Sequence, residues 1–591
     1  AWTGLDASPG TSYRTPVERI ETDLLILGAG GAGLTAALHA ADRAPGLGIT
    51  LVVKGLLGRA GCTRMVQGGY NAVLRAPDSL EAHLLDTLKG GGFLNDQELA
   101  WRLVETAPAR IVELESRYGC FFDRAPDGQI HQKPFAGQSH DRTIHKGDLT
   151  GIEIMNRLAE QVWARPAIRV LEEHRALELL QDGAGRVGGA LLLDIRTGGA
   201  VLACARATLL ACGGGPTMYR VVACSADKAA DGIALAFRAG ATLRDMEMVQ
   251  FHPTGLVVPG SLMTGALLEE GLRGAGGRLF NQAGERFMAR YDPVRLERST
   301  RDVVARASYR EIAEGRGTPE GGVWLDVSHL GADFVERNFR GMARRCRDFG
   351  LDLARRPVPV MPTAHFLMGG VVIEPDCRTA VEGLFAAGED AGGVHGANRL
   401  GGNGVADSTV FGGIAGDVMA EWVVERPRPA VSARDGERGA AAARLPLGRS
   451  SRDEVVALRR ALRDLMWEQV GLVRTGEGLE AALHALEELG ARVEAAPVPG
   501  GPAYNLAWQA WLDARNQALA ARLIARSALE RRESRGAHYR ADHPEPDDAR
   551  WLVNVLVAAR NGSLGVWTEP VRLTRARPEA APSPAMVEIG D

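Results

Sequence analysis

Short apolar runs alternate with glycine-rich turns at the start of the chain. Residues 23–27 (Asp-Leu-Leu-Ile-Leu) form a run typical of a parallel strand buried on both faces. A glycine-rich stretch at 28–33 follows directly, and residues 34–41 carry the small side chains of a tightly packed helix. A second apolar run covers residues 49–53. The pattern predicts a β-α-β unit with a glycine turn at its first crossover.

Two later segments repeat the strand-then-glycine pattern. The apolar run 207–212 leads into three glycines, and a third glycine-rich stretch begins after residues 383–388. We interpret these pieces as parts of one α/β nucleotide-binding domain, formed by residues 1–240 and 366–425. Residues 241–365 are then an insertion between its two parts.

The last part of the chain has a helical pattern. Residues 426–451 are rich in Pro, Arg and Ala, and we interpret them as a linker. Apolar residues then recur at helical spacing, as in Val455, Leu458, Leu462 and Met466. Residues 452–591 are therefore predicted to form a helical C-terminal domain and tail.

The first glycine turn has the Gly-x-Gly-x-x-Gly spacing of a dinucleotide site, at Gly28, Gly30 and Gly33. The first glycine permits the tight turn, the second lets the backbone approach a pyrophosphate, and the third lets the helix pack on the strand. The helix N-terminus then faces the phosphates. The motif alone does not separate FAD from NAD. Lys54 ends the second strand, where an NAD site commonly has an acidic ribose ligand, and this counts against NAD.

Composition excludes several classes of function. Of 591 residues, 45% are hydrophobic and 24% are charged, and the net charge is −4. These values are typical of a globular protein and give no electrostatic support for binding nucleic acid.

The seven cysteines are scattered and lack a Cys-x-x-Cys pair, so we expect reduced thiols, no metal site in this chain, and a cytoplasmic location. We find no secretory signal and no membrane-spanning run, so contact with the cytoplasmic face of a membrane is expected only through a complex.

Five ordered motifs carry a resemblance to a known family. They are segments 67–72 (Gln-Gly-Gly-Tyr-Asn-Ala), 250–255 (Gln-Phe-His-Pro-Thr-Gly), 270–274 (Glu-Gly-Leu-Arg-Gly), 300–306 (Thr-Arg-Asp-Val-Val-Ala-Arg) and 395–403 (His-Gly-Ala-Asn-Arg-Leu-Gly-Gly-Asn). In order and spacing they resemble the flavoprotein subunits of succinate dehydrogenase and fumarate reductase, with L-aspartate oxidase as a close relative. The likeness runs from about residue 20 to about residue 575. It implies an FAD-binding Rossmann-like domain interrupted by an α+β capping domain and followed by a helical C-terminal domain.

The resemblance implies FAD as the cofactor. Asp231 matches a position that contacts the cofactor, and Glu389 matches the carboxylate on the FAD ribose. The predicted cofactor-binding residues are Gly28, Gly30, Gly31, Gly33, Lys54, Cys62, Thr63, Gln67, Gly68, Gly69, Asp231, Glu389, Asn403, Gly404 and Val405. A separate iron–sulfur subunit is the implied electron partner, since this chain has no cluster ligands.

The resemblance also implies a site for a small dicarboxylate. The guanidinium of Arg399 is suited to bind one carboxylate in a bidentate way, through two parallel hydrogen bonds. His252 and His365 match residues that hold the carboxylates and polarise the double bond.

Arg301 matches the family's proton donor for fumarate reduction. Arginine is a poor acid in water, with a pKa above ~12, so it serves only where the site supplies a relay. Arg273 and Glu270 match that relay, and their i, i+3 spacing places them on one face if the segment is helical.

Three departures from the family pattern bear on the cofactor and the substrate. Cys62 stands where membrane-bound members have a histidine linked to the flavin, so a histidyl link at that position is excluded. We favour noncovalent FAD, and a cysteinyl link through Cys62 stays open because a thiolate is a competent nucleophile. Without the histidyl link we expect a lower flavin potential, which favours fumarate reduction or oxidase chemistry over succinate oxidation.

Glu269 stands where the family usually has a threonine that helps to hold a carboxylate, and Gly404 replaces a serine expected near the flavin.

Glu269 leaves the substrate open, because a carboxylate beside a dianion repels it. We expect that Glu269 is turned away or protonated, or that the substrate carries an amino group or is a longer acid. The first hypothesis is therefore a succinate/fumarate flavoprotein working with an iron–sulfur subunit. The second is a free-standing flavin enzyme of an amino or substituted dicarboxylate, similar to L-aspartate oxidase. The third is a non-catalytic FAD electron-transfer subunit, which the intact set of candidate catalytic residues disfavours.

Overall fold

A five-stranded parallel sheet forms the centre of the nucleotide-binding domain in the computed structural model, which describes residues 17–449, 454–560 and 563–578. All neighbouring strands pair in parallel. In spatial order the strands are Leu384–Ala386, Ala207–Leu210, Leu24–Leu27, Ile49–Val53 and Ile168–Glu172. The three predicted pieces of the domain therefore meet in one sheet, which confirms the α/β fold. The edge strand 168–172 has no glycine turn after it and was not predicted.

Helices cover the parallel sheet and a smaller sheet packs beside it. The glycine turn leads into helix Gly31–Arg43, which packs along the late helix Asn403–Trp422. The second sheet contains Glu18–Glu21, Ala200–Cys204, Val187–Asp194 and His174–Gln181. A three-stranded sheet contains Tyr70–Asn71, Thr143–Ile144 and Gln132–Lys133, and the other helices of this region are Leu80–Gly90, Gln97–Ser116, Thr150–Trp163 and Asp231–Arg238.

The inserted segment builds its own sheet and its own hydrophobic core. The sheet order is Val249–Leu256, Val358–Leu367, Val323–Asp326 and Arg278–Phe280, with antiparallel pairing throughout. The helices are Gly271–Gly274, Met288–Tyr291, Arg301–Ala313, Ala332–Asn338 and Arg340–Asp348. A separate apolar cluster runs from Leu256 to Val360 and includes Phe287 and Met342. The segment is thus an α+β unit, and the limits 241–365 stay a prediction.

The C-terminal region is built mainly from three long helices, Glu454–Gln469, Gly476–Ala495 and Leu506–Glu530. The four residues that showed helical spacing after position 452 are all buried, with exposed fractions of 4% or less. This confirms the prediction that this part of the chain is helical. No helix among the described residues is both long and apolar enough to cross a bilayer.

Two features of the C-terminal region were not predicted. The predicted linker contains a helix, Ala433–Arg444, because its alanine and arginine residues are good helix formers and Ala440 packs into a small apolar cluster. The predicted helical domain also contains a strand pair, Val553–Arg560 with Ser563–Pro570. It joins a five-stranded sheet with Leu243–Arg244, Gly370–Val372 and Ala391–Gly392, and a short helix, Asp548–Trp551, precedes it.

Two glycines make the first turn sterically possible. Gly28 has φ +113°, and a Cβ there would lie 2.1 Å from the carbonyl oxygen of Ala211. A Cβ on Gly33 would lie 1.8 Å from the carbonyl oxygen of Gly28. Helix Gly31–Arg43 can therefore lie against the strand only without these side-chain atoms.

We expect Gly33→Ala to destabilise the fold by roughly 1–3 kcal/mol, because the added methyl must push the helix away from the backbone of the turn. Urea unfolding followed by circular dichroism measures the change. Gly46→Ala is the matched control, since a Cβ at this glycine meets no atom within 4 Å. Equal stability of the two variants would contradict this account of the turn.

Candidate active site

One cavity of about 1130 Å³ lies between the nucleotide-binding domain and the capping unit. This volume exceeds the usual range for a single small ligand and leaves room for a dinucleotide together with a small acid. Every predicted site residue lines the cavity except Gly33, Arg273 and Asn403. Segments that are far apart in the chain therefore converge on one space.

The phosphate end of the cavity is the N-terminus of helix Gly31–Arg43. The Gly31 N–H donates to the Thr63 hydroxyl at 3.0 Å, so the loop that holds Cys62 is tied to this helix end. Gly30 leaves the backbone open to the cavity, because a Cβ there would meet only the Thr63 hydroxyl, at 3.4 Å. Backbone N–H groups at the positive end of a helix suit a pyrophosphate, and these residues fit the FAD that the family resemblance implies.

Two acidic residues at the cofactor end, Asp231 and Glu389, are paired with cations. Asp231 accepts from Lys54 at 2.8 Å and from Arg175 at 2.5 Å. Burial alone would raise the pKa of Asp231, but Arg175 and Lys54 more than offset it and hold the pKa well below its usual value. Glu389 forms an ion pair with Lys228, and burial still raises the pKa of Glu389 to about 7.

His252 and His365 face each other at the opposite end, with ring centroids 5.6 Å apart. Burial holds the pKa of both rings well below its usual value, helped by Arg301 for His252 and by Arg399 for His365. Both imidazoles are therefore neutral near pH 7. His252 Nδ1 accepts from the Thr254 N–H at 3.3 Å, so the proton sits on Nε2, which has no partner among the described residues. Nε2 is a donor available to a ligand.

A chain of charged groups connects the capping unit to the cavity. Glu270 Oε2 accepts from Arg301 Nε at 2.9 Å, and Oε1 accepts from Arg273 Nη2 at 3.0 Å. A single buried carboxylate thus bridges two arginines, and both of them and Glu270 are at most 6% exposed. Arg273 lies behind Glu270, which explains why it does not line the cavity.

Arg399 adds a third buried arginine from the other domain. Burial and the nearby Arg301 lower the pKa of Arg399 to about 9. Gln250 joins the two arginines, since its Oε1 accepts from Arg301 at 3.0 Å and from Arg399 at 3.1 Å. Gly404 gives Arg399 its room, because a Cβ there would lie 2.7 Å from the guanidinium. The predicted motif contained Gln250, but its bridging role was missed.

Two family models match this chain over most of its length. The FAD binding domain model matches residues 23–405, and the fumarate reductase flavoprotein C-term model matches residues 459–583. The chain belongs to the fumarate reductase and succinate dehydrogenase flavoprotein family. As a member of this family it is an FAD-dependent oxidoreductase.

Relatives of this flavoprotein family match nearly end to end. The fumarate reductase (CoM/CoB) of Methanothermobacter marburgensis has a subunit that is 44% identical, over 91% of this chain and 97% of that protein. A chloroplastic L-aspartate oxidase from Arabidopsis thaliana is 36% identical, over 90% of this chain and 83% of that protein. The solved structure of E. coli quinol fumarate reductase FrdA superposes with a TM-score of 0.90 at 32% identity, covering 95% of this chain and 99% of that chain.

One predicted cofactor-binding residue, Asn403, does not line the cavity. The side chain of Asn403 points away from the cavity, because its Oδ1 accepts from Asn71 Nδ2 at 2.7 Å and its Nδ2 donates to Thr87 at 3.1 Å. These bonds fix the start of helix Asn403–Trp422 rather than a flavin. Gly404 and Val405, which follow it, do line the cavity.

Glu269 is neither turned away nor left as an isolated charge. It lines the cavity, is 1% exposed, and forms an ion pair with Lys133 through Oε1. Burial raises the pKa of Glu269, and Lys133 opposes that rise. Lys133 is thus a site residue that the sequence did not reveal, because 136 residues separate it from Glu269. The pair is close to neutral and removes the repulsion that Glu269 alone would exert on a dianion.

We expect Lys133→Met to destabilise the flavoprotein by roughly 3 kcal/mol at pH 8, because it leaves Glu269 buried without a partner. The loss should be smaller at pH 6. A buried lone carboxyl has a pKa above its unfolded value, so stability falls as pH rises through that range. Urea unfolding at the two pH values measures both effects.

The double variant Lys133→Met/Glu269→Gln should recover most of this loss, since no uncompensated charge remains. Lys146→Met is the control, because Lys146 forms a more exposed pair with Asp123 and should cost under about 1 kcal/mol. A double variant no more stable than Lys133→Met would contradict the pairing argument.

Proposed function

We propose that this flavoprotein interconverts fumarate and succinate, with Arg301 as the proton donor and acceptor. The observation that carries the proposal is an excess of buried positive charge at one end of the cavity. Arg273, Arg301 and Arg399 surround one carboxylate, Glu270. A ligand with two negative charges would balance this cluster, and burying arginines without such a balance is costly.

Two donors are arranged to take the two carboxylates of the acid. Arg399 Nε and His252 Nε2 have no hydrogen-bond partner among the described residues, and His365 Nδ1 is a further ring nitrogen without one. In this proposal Arg399 forks onto one carboxylate, and the neutral His252 donates from Nε2 to the other. The neutral histidines bind through hydrogen bonds and do not add to the positive charge. Bound FAD supplies the hydride acceptor and donor for the reaction.

The proton path in this proposal runs through the Arg273–Glu270–Arg301 chain. A proton leaves an Arg301 nitrogen for one carbon of the double bond, and the Glu270 carboxylate stabilises the Arg301 cation before the transfer. Arg273 contacts the second oxygen of Glu270. Afterwards a proton passes from Arg273 to Glu270 and from Glu270 to Arg301, which restores the cation. The Arg273 guanidinium also donates to the Glu297 carbonyl at 2.6 Å, which holds it in place for this role.

Electrons would pass to or from a separate iron–sulfur subunit, and contact with a membrane would come only through such a complex. This part of the proposal is supported by the relatives, which are named as subunits of fumarate reductases. Within the described ranges, no group of three or more His, Cys, Asp or Glu side chains is arranged as a metal site.

A second candidate substrate is an amino dicarboxylate such as aspartate. The observation that favours it is Glu269 Oε2, a buried carboxylate oxygen without a partner among the described residues. It could accept a hydrogen bond from a substrate ammonium group. The 36% identity to an L-aspartate oxidase also supports this second candidate.

The function is tested by reducing the bound flavin anaerobically with dithionite, removing the excess, adding fumarate and recording the visible spectrum. We expect rapid return of the oxidised flavin bands. Flavin that stays reduced would overturn the fumarate proposal. Oxidation of aspartate with formation of hydrogen peroxide would then support the second candidate.

We expect Arg301→Gln to slow flavin reoxidation by fumarate at least ~100-fold, because positioned proton transfer contributes about that much. The concentration of fumarate at half-maximal rate should change much less, since Arg399 and the histidines remain. Stopped-flow absorbance measures both values. Arg355→Gln, at a mostly exposed arginine of the capping unit, is the control and should behave as the parent protein. A rate within threefold of the parent for Arg301→Gln would exclude Arg301 as the proton donor.

A further inference from the structure

Two cysteines from distant parts of the chain meet on the wall of the cavity. Cys62 and Cys224 both line it, and both are partly exposed, whereas Cys120, Cys204, Cys346 and Cys377 are buried. The Ser225 N–H donates to Cys62 Sγ at 3.1 Å. Standard backbone bond lengths then place the Cys62 sulfur within about 5.5 Å of the Cys224 Cα. A cysteine sulfur this close to the Cα of a second cysteine can reach that residue's sulfur by side-chain rotation, which is compatible with an S–S bond.

The pair lies between the phosphate end and the substrate end of the cavity. Cys62 precedes Thr63, whose hydroxyl accepts from Gly31 at the helix N-terminus. Cys224 follows Ala223, whose N–H donates to the Ala364 carbonyl at 2.9 Å, directly before His365. A dinucleotide that spans the cavity from Gly31 to His365 must pass this wall. FAD bound along the cavity from Gly31 towards His365 would bring its flavin ring beside these thiols.

The surroundings give the two sulfurs different protonation states. The hydrogen bond from Cys224 lowers the pKa of Cys62 to about 6, and the Lys228 charge and the Ser225 N–H act in the same direction, against burial and Asp227. The contact with Cys62, together with burial, raises the pKa of Cys224 well above its usual value. Near pH 7 the pair is thus one thiolate beside one thiol. This is the arrangement in which one sulfur is a nucleophile and the other supplies a proton.

We propose that Cys62 and Cys224 form a dithiol/disulfide couple that exchanges two electrons with the bound flavin. In the oxidising direction an S–S bond forms between Cys62 and Cys224 while the S–H bond of Cys224 breaks. The sulfur pair gives up two electrons, and these electrons and the Cys224 proton pass to oxidised FAD, which becomes the reduced anionic form. The reverse step regenerates the thiolate and the thiol. The couple provides a second two-electron store beside the flavin, independent of the dicarboxylate site.

The test is an anaerobic reductive titration of the holoenzyme without any dicarboxylate. The protein is first oxidised with ferricyanide and desalted, and dithionite is then added while the flavin spectrum is recorded. We expect uptake of about four electrons per FAD, two for the flavin and two for the disulfide. Cys224→Ser and Cys62→Ser should each take up about two. Cys212→Ser is the matched control and should still take up about four, because Cys212 also lines the cavity but donates to the Leu27 carbonyl.

A peptide map of the oxidised parent protein provides a readout that does not depend on any variant folding. Alkylation under denaturing conditions followed by proteolysis and mass spectrometry should give a disulfide-linked pair containing Cys62 and Cys224, and reduction before alkylation should abolish it. Two alkylated cysteines after ferricyanide treatment, with about two electrons taken up per FAD, would overturn the proposal. A Cys62 peptide carrying the mass of FAD would also overturn it, because that sulfur would then hold a covalent flavin. Neither result bears on fumarate turnover.

Discussion

Buried positive charge is the constraint on which the catalytic end of this protein depends. Three arginines converge on Glu270, and two of them come from the capping unit while Arg399 comes from the nucleotide-binding domain. Gln250 ties the two sources together through one amide oxygen. The cluster therefore exists only when the two units are docked, and a dianion that enters it stabilises that docking as well as its own position.

Three further acids that line the cavity are each paired with a cation. Asp231 is matched by Lys54 and Arg175, Glu389 by Lys228, and Glu269 by Lys133. With these three acids paired, the parts of the cavity that they line offer donors and positive charge to a ligand. That electrostatic character suits both an anionic cofactor and an anionic substrate, and it selects against cations at either end.

The sequence predicted those parts of the site in which local geometry demands a residue type. Gly28 and Gly33 are predictable because no other residue fits the turn. Glu270 and Arg273 were assigned through the family resemblance, and their i, i+3 spacing added that they share one face. Lys133 and Cys224 were not predicted, because each acts through a partner more than 130 residues away. Contacts between such distant residues depend on tertiary packing and cannot be inferred from the spacing of neighbouring residues along the chain.

The same contrast holds for the fold. Strands followed by glycine turns were predicted, whereas the late strand pair was missed although Asn561-Gly562, outside the described residues, is a common hairpin dipeptide. The helix Ala433–Arg444 was missed because alanine and arginine favour a helix, whereas the neighbouring prolines suggested a linker. Asn403 was assigned to the cofactor through its motif, but its hydrogen bonds lie within the protein.

The position of strand Leu384–Ala386 has a consequence for how the protein is made. This strand pairs with Ala207–Leu210 at the edge of the central sheet, yet the whole capping unit is translated between them. A ribosome that adds about 5–20 residues per second needs on the order of ten seconds or more to bridge that interval. During this time the nascent sheet has an open edge, and neither Glu389 nor Arg399 has been synthesised. Cofactor capture is therefore a late event in biosynthesis, and an unpaired sheet edge must be kept from aggregating until then.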